Sequence, residues 1–161
     1  MSPGRTALRA ALVAVAVIAV DQVTKAIVRS EIGPFEQIKV IPGVKLVHAE
    51  NTGVAFSALS GGGPLVILVA AVALGALLIF FFTHLTRPLV WLPTGLLLGG
   101  AAGNLIDRVG RGSVTDFIKF PHWPAFNVAD MAITFGVILL LFVVERANGR
   151  DGCPDGAAGK A

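Results

Sequence analysis

The chain has very little cysteine, and this limits what can stabilise it. Its one cysteine, Cys153, lies near the C-terminus among Gly, Pro and Asp. A single thiol cannot form an internal disulfide, so we expect a fold that does not depend on one. Because no histidine is close to it in sequence, we do not expect it to be a catalytic nucleophile.

Charge is also scarce. Charged residues make up 14% of the 161 residues, and hydrophobic residues make up 55%, whereas a typical soluble domain carries about 25% charged residues. The net charge is only +3 and the basic residues form no run, so a nucleic-acid partner is not expected. The length indicates one domain, and the composition is typical of a polytopic membrane protein.

Common hydrolase motifs are missing as well. The chain has no His-Glu-x-x-His and no Gly-x-Ser-x-Gly, and its three histidines, His48, His84 and His122, are scattered. A zinc peptidase needs clustered ligands, so we expect no metal and no other cofactor. The acid/base groups must therefore be sought among the carboxylates.

Long apolar runs dominate what is present. A membrane-spanning helix needs about 20 mostly apolar residues, and four segments meet that length, at about 8–28, 64–82, 88–106 and 127–144. The N-terminal run resembles a signal peptide, but no clear cleavage site follows it. We therefore predict four retained transmembrane helices, with residues 148–161 as a polar, disordered tail.

The order of these segments gathers the polar residues on one side of the membrane. With four spans, the loop 29–63 and the connection before the fourth helix lie on the same face. Lys and Arg do not orient the protein, because six lie on the side of the termini and seven on the other side.

The long loop contains Pro42-Gly43, which suits a type II turn and predicts a β-hairpin. We predict a short interfacial segment at 54–59.

Two carboxylates lie beside the ends of apolar segments, where a charge is costly. Asp116 follows a Gly-x-Val pattern and is predicted to lie in a short loop, while Asp130 lies at the start of the fourth helix. Taken alone, Asp116 could be a solvated loop acid, and Asp130 could cap the helix together with Asn127. Together they suit a dyad in which two carboxyl groups share a proton and hydrolyse an amide.

Other residues favour structural roles. Asp21 and Lys25 have the i, i+4 spacing of an ion pair, and so do Asp107 and Arg111. We interpret Asp107 as a supporting residue, paired with Arg111 or Arg108. The small-residue spacing of Gly95, Gly99 and Gly103 predicts close helix packing.

Two other functions remain open at this point. A small proton- or cation-coupled transporter subunit could use the carboxylates as an ion path, but it would distribute them through the membrane depth. A structural assembly protein could pack through the glycine face, and it would tolerate carboxylate-to-amide changes. The carboxylates lie towards one face, which favours the peptidase.

Five motifs, in order, resemble those of the lipoprotein signal peptidase (signal peptidase II) family, membrane aspartic peptidases that are blocked by globomycin. The motifs are Asp21-Gln22-Val23-Thr24-Lys25, Asn51-Thr52-Gly53-Val54-Ala55-Phe56, Gly103-Asn104-Leu105-Ile106-Asp107-Arg108, Val114-Thr115-Asp116-Phe117 and Phe126-Asn127-Val128-Ala129-Asp130. Each is weak alone, but five in order on four apolar segments form a specific pattern.

This resemblance implies a fold, a reaction and a site. The implied fold is four transmembrane helices with a small extracytoplasmic β-cradle and a short interfacial helix. The implied reaction removes the signal peptide of a diacylglyceryl-modified prolipoprotein just before the lipidated cysteine. Asp116 and Asp130 would be the catalytic dyad. Supporting residues would be Asp21, Lys25, Asn51, Gly53, Asn104, Asp107, Arg108 and Asn127.

The resemblance also implies a setting. We expect a multi-pass protein of the bacterial inner membrane, with cytoplasmic termini and the active site at the extracytoplasmic face. The expected partners are the lipidated substrate, membrane lipid and globomycin-type inhibitors, and the expected state is a monomer.

Overall fold

The computed structural model describes residues 2–34, 36–53, 62–85 and 89–151. These residues form four long helices and one small antiparallel sheet. The helices are α1 (Pro3–Glu31), α2 (Gly62–Thr83), α3 (Trp91–Arg111) and α4 (Val128–Asp151). The strands are β1 (Gln37–Ile41), β2 (Val44–Asn51) and β3 (Val114–Lys119), in the sheet order β1-β2-β3.

Three of the four predicted spans are long and apolar enough to cross a membrane. They are Pro3–Glu31, Pro64–Thr83 and Val128–Arg146. The predicted third span, 88–106, corresponds to α3, which begins and ends later than predicted and is not among these candidates in the described part of the chain. Its hydropathy is lower because glycines, Asn104, Asp107 and Arg108 interrupt its apolar residues.

Helix α3 is the centre of the helical bundle, because α1, α2 and α4 all pack against it. Its glycines allow this. A Cβ atom on Gly99 would lie 2.7 Å from Val17 Cβ and 2.8 Å from the carbonyl oxygen of Ala14, and a Cβ on Gly95 would meet Val13 at 2.7 Å. These separations are too short for real Cβ contacts, so the predicted close packing of the glycine face is confirmed, with α1 as the partner.

The bundle is apolar outside and polar inside at one end. Large apolar side chains such as Leu12, Val72 and Leu141 are exposed, whereas Asp21 and Lys25 are completely buried. A soluble protein shows the reverse distribution. This arrangement is suited to lipid on the outer surface and to a polar centre that lipid does not reach.

The sheet lies against the same end of the bundle. Pro42 and Gly43 connect β1 to β2 as predicted, and Gly43 has the positive φ (84°) that such a turn requires. The prediction of a loop around Asp116 is wrong, because this residue lies on β3, which pairs antiparallel with β2. The inner face of the sheet packs on Val28 of α1 and on Ile32, which directly follows this helix.

Of two other predicted segments, one lies outside the described residues and the other lies only partly within them. The segment 54–59, predicted to lie in the membrane interface, is outside them. Helix α4 continues to Asp151, so it includes the start of the segment that was predicted to be a disordered tail, and the residues after 151 lie outside the described part.

Candidate active site

Asp116 is held on β3 by two amide side chains. Asn51 Nδ2 donates to its Oδ2 at 3.0 Å, and Asn127 Nδ2 donates to its Oδ1 at 2.7 Å. Only 3% of Asp116 is exposed. Each carboxylate oxygen therefore has a donor that is not itself titratable, and the orientation of the carboxyl group is fixed from both sides.

A local turn prepares Asn51 for this contact. Its Oδ1 accepts a hydrogen bond from the backbone N–H of Gly53 at 3.0 Å, and Gly53 has a φ of 73°. This Asx turn directs the NH₂ end of the Asn51 amide towards Asp116. Gly53 thus supports the site through Asn51, because its conformation is one that other residues rarely adopt.

Asp130 lies in the first turn of α4 and forms a reciprocal cap with Asn127. The Asp130 N–H donates to Asn127 Oδ1 at 3.0 Å, and the Asn127 N–H donates to Asp130 Oδ2 at 3.2 Å. The interpretation that Asp130 caps the helix together with Asn127 is therefore correct, and it accounts for these two hydrogen bonds. Its other oxygen, Oδ1, accepts from Asn104 Nδ2 at 2.9 Å, a contact that capping does not require.

Asn127 joins the two carboxyl groups. Its side-chain amide nitrogen donates to the Asp116 carboxyl group, and its backbone N–H donates to the Asp130 carboxyl group. It is completely buried, and its amine also reaches Asn104 Oδ1 at 3.2 Å. One residue thus contacts both carboxyl groups, one through its side chain and the other through its backbone, which a pair of unrelated structural carboxylates would not need.

A buried ion cluster supports Asn104 from behind. Lys25 Nζ lies 2.9 Å from Asn104 Oδ1, 2.7 Å from Asp21 Oδ2 and 2.7 Å from Asp107 Oδ2. Asp21 and Asn104 accept hydrogen bonds from this ammonium group, and Asp107 forms an ion pair with it. Because Lys25 contacts the side-chain oxygen of Asn104, the side-chain nitrogen of Asn104 faces Asp130.

Asp21 ties this cluster to α4. Its Oδ1 accepts the backbone N–H of Ala129 at 2.9 Å. A Cβ on Gly103 would lie 2.7 Å from Asp21 Oδ2, so only glycine at this position lets α1 bring the carboxylate this close. The first turn of α4, which carries Asp130, is thereby anchored to α1.

The surroundings of Asp116 change its proton affinity. Burial raises the pKa of Asp116 to about 6, and the neighbouring charge of Asp130 acts in the same direction. The hydrogen bonds from Asn51 and Asn127 act against this rise, because they favour the ionised carboxylate. A carboxyl group with this pKa can hold a proton in mildly acidic conditions and release it near neutrality.

Two predicted supporting residues behave differently from expectation. Asp107 pairs with Lys25, and more distantly with Arg29 at 4.0 Å, instead of with Arg111 or Arg108, within the chain segments described. Arg108 donates to the carbonyl oxygen of Asn104 in its own helix at 3.5 Å. Its described contact therefore braces α3 and does not reach a dyad carboxylate.

Sequence reasoning missed several polar residues around the site. Gln22 donates to the carbonyl oxygen of Gly103 at 3.1 Å and to Asp107 at 3.3 Å. Arg29, Glu50 and Thr115 form a further chain of contacts between α1 and the sheet. Gln22 and Thr115 stood inside recognised motifs, but no spacing rule indicated Arg29 or Glu50.

A cavity of about 830 Å³ lies beside the sheet. The β1–β2 hairpin and the connection from Lys119 to Ala125 line it. Ala49, one of the lining residues, is the register partner of Asp116. The cavity therefore places open space next to the strand that carries one of the two acids.

Among the described residues, no cluster of three His, Cys, Asp or Glu side chains could hold a metal ion.

Comparison with known proteins decides the family. Residues 13–145 match the family described as signal peptidase (SPase) II. The chain belongs to the signal peptidase II family. A lipoprotein signal peptidase of Halothermothrix orenii is 39% identical over 131 residues, covering 81% of this chain and 90% of that protein. One from Pseudomonas fluorescens is 44% identical over 136 residues, covering 77% and 79%.

Solved structures agree with the family assignment. One bacterial membrane enzyme superposes with a TM-score of 0.78 at 34% identity, covering 84% of this chain and 91% of the other. A second superposes with a TM-score of 0.79 at 31% identity, covering 94% of each chain. The peptidase is therefore similar in both sequence and fold to two solved bacterial membrane enzymes.

Proposed function

We propose that this peptidase removes the signal peptide of diacylglyceryl-modified prolipoproteins, and that Asp116 and Asp130 carry out the hydrolysis. Membership of the signal peptidase II family supports the reaction. The observation that supports the dyad is that Asn127 donates a hydrogen bond to each carboxyl group, from its side chain to Asp116 and from its backbone N–H to Asp130. Cleavage just before the lipidated cysteine is part of the proposal.

In the proposed mechanism the two acids hold one proton between them. Asp116, whose pKa is raised to about 6, donates a hydrogen bond to the scissile carbonyl oxygen, and ionised Asp130 takes a proton from the attacking water. Asp130 then gives that proton to the leaving amine as the tetrahedral intermediate collapses. Nearby amides keep both acids oriented throughout, because carboxamides neither gain nor lose protons.

We also propose that α3 spans the membrane as a fourth helix. Its 21 residues extend about 31 Å at 1.5 Å per residue, which matches a hydrocarbon core of about 30 Å. Its Asn104 and Asp107 side chains contact the site and its supporting cluster, and α1, α2 and α4 pack against it. Asp21, Lys25, Asn104 and Asp107 then support a site at one membrane face, an arrangement that disfavours the ion-transport alternative.

The proposed setting is the bacterial inner membrane, with both termini cytoplasmic, the site extracytoplasmic and the chain monomeric. The lone cysteine, Cys153, is a natural probe of orientation. In spheroplasts a membrane-impermeant maleimide should label it only after the membrane is opened. Labelling in intact spheroplasts would reverse the proposed orientation.

A processing assay tests the function directly. Purified protein in lipid is given a diacylglyceryl-modified prolipoprotein and, as the control, the same precursor without the lipid. We expect the modified precursor to shift to the mature size on a gel and the unmodified one to stay intact. An intact modified precursor would overturn the proposal, and a globomycin-type compound should block the shift.

The pH dependence tests the assignment of the proton to Asp116. Since the protonated form of Asp116 is lost as pH rises through about 6, kcat/KM should fall on the alkaline side with a midpoint near that pH. Asn51→Ala removes a hydrogen bond that favours the ionised form, so the midpoint should move to higher pH and the maximum rate should fall about tenfold.

The control for this prediction is Ser30→Ala, which removes a polar side chain from an exposed position near the end of α1. Its pH profile should match that of the wild type. A midpoint that stays in place or moves to lower pH in Asn51→Ala would show that Asp116 is not the group whose protonation limits the reaction.

A further inference from the structure

A second chain of polar contacts lies behind the proposed dyad. Arg29 Nη1 of α1 donates to the hydroxyl of Thr115 on β3 at 3.1 Å, and this hydroxyl donates to Glu50 Oε1 on β2 at 3.2 Å. Thr115 is completely buried. The Thr115 hydroxyl thus donates to Glu50 and accepts from Arg29. Through this one oxygen atom it connects α1, β2 and β3.

Glu50 is held as an anion at the end of this chain. Its oxygens accept hydrogen bonds from Ser113, from Thr115 and from His48 Nε2, the last at 2.9 Å. Burial acts to raise the pKa of Glu50, but these hydrogen bonds and the neighbouring His48 outweigh it and lower the pKa. His48 Nδ1 faces the carbonyl oxygen of Ile32 at 3.0 Å, so the ring of His48 links Glu50 to the end of α1.

The position of this chain relates it to the reaction. Glu50 and Thr115 are register partners across β2 and β3. Each directly precedes a residue of the Asn51–Asp116 hydrogen bond. Because neighbouring residues on a strand share a backbone, fixing residues 50 and 115 fixes the separation at which Asn51 meets Asp116.

The chain also extends towards the other acid. Arg29 lies 4.0 Å from Asp107 Oδ1, and Asp107 pairs with Lys25. Lys25 holds one end of Asn104, whose other end contacts Asp130. Alternating charges therefore run from the sheet through α1 to α3, so both acids are connected to one polar framework.

We propose that Glu50 and Thr115, anchored by Arg29, form a positioning clasp that sets the geometry of Asn51 against Asp116 during catalysis. This inference rests on the proposed dyad. Neither residue of the clasp touches either dyad carboxylate among the contacts described, so they act through Asn51 and the Asp116 backbone. Their loss should slow the chemical step and leave substrate binding nearly unchanged.

Paired substitutions at Thr115 test the clasp on the full chain in lipid. Thr115→Val keeps the shape and removes the hydroxyl, and Thr115→Ser keeps the hydroxyl. We expect Thr115→Val to lower kcat about ten- to hundredfold with KM within about twofold, as a small misplacement does. The alkaline midpoint of kcat/KM should move upward, as in Asn51→Ala, because the Asn51 hydrogen bond is weakened. Thr115→Ser should stay within about twofold of wild type.

Glu50→Gln is the second variant, and it decides the matter if Thr115→Val does not fold. Glu50 is 43% exposed, so its replacement does not open a cavity. It removes the negative charge and leaves a side chain of the same length, so kcat should fall about tenfold with an upward shift of the same midpoint. Glu31→Gln, an exposed acid at the end of α1, is the matched control and should behave as wild type.

The outcomes separate the clasp from the function on which it rests. If the wild type leaves the lipidated precursor intact, the proposed function fails before any variant is compared. If the wild type cleaves and the foldable variants keep its kcat and midpoint, the clasp is overturned. It is also overturned if lost activity follows only a lower thermal unfolding midpoint, with the pH profile unchanged.

Discussion

Asp116→Asn and Asp130→Asn should each reduce processing of the lipidated precursor by about 10²–10⁴-fold. This is the usual contribution of a positioned acid or base, and each variant removes one of the two groups that exchange the proton. Asparagine keeps the size of the side chain and one oxygen acceptor. Of the two hydrogen bonds to each acid, the one from Asn127 to Asp116 or from Asn104 to Asp130 can therefore persist. The main loss is that of the exchangeable proton. Initial rates at the optimal pH give the measurement.

Folding must be shown alongside the rates. The thermal unfolding midpoints of both variants in detergent should stay close to that of the wild type. Asp155→Asn, an identical exchange outside the recognised motifs, should retain full activity. Substantial cleavage by a folded Asp116→Asn or Asp130→Asn protein would show that the two acids are not a dyad and would leave Asp130 with its capping role alone.

The second large effect concerns stability. Lys25→Met should destabilise the protein by about 3–5 kcal/mol, because it leaves the buried carboxylates of Asp21 and Asp107 without their shared cation. Methionine fills a similar volume, so the loss comes from uncompensated charge more than from a cavity. Equilibrium unfolding by denaturant in detergent micelles measures it.

A double variant separates charge from packing. If uncompensated charge is the cause, Lys25→Met combined with Asp107→Asn should be more stable than Lys25→Met alone. Lys39→Met, on the exposed strand β1, should change stability by less than about 0.5 kcal/mol. A Lys25→Met protein as stable as the wild type would mean that the cluster contributes no net stabilisation and serves only to orient Asn104.

Hydropathy located three spans well because α1, α2 and α4 present apolar surfaces outward. It was less informative for α3, which is enclosed by the other helices and carries the polar side chains of the site. The segment length still predicted a helix there. The predicted bounds of this helix were wrong because the apolar run ends before the polar motif, whereas the helix continues through Asp107 to Arg111.

The strand around Asp116 shows another limit of pattern reading. A half-buried strand alternates between apolar and polar residues, but residues 114–117 of β3 are buried on both faces. Asp116 contacts amides on one side while Thr115 contacts Arg29 and Glu50 on the other. No period of two appears in such a sequence, so the pattern looked like a loop.

Motif order predicted which side chains meet, but it did not predict how they pair. Asp107 was assigned to Arg111 or Arg108 on its own helix, yet its closest ion pair is with Lys25 on another helix. Spacing rules describe contacts within a helix and are silent about contacts between helices. The glycine face was the exception, since close approach between helices has a sequence signature of its own.

The amide frame around the dyad has a consequence for how the enzyme responds to acid and alkali. The described side-chain hydrogen bonds to the two acids come from Asn51, Asn104 and Asn127. A carboxamide does not titrate. A change of pH therefore alters the proton count of the dyad without altering the charge of these amides. The same hydrogen-bond donors therefore surround the exchangeable proton in acid and in alkali.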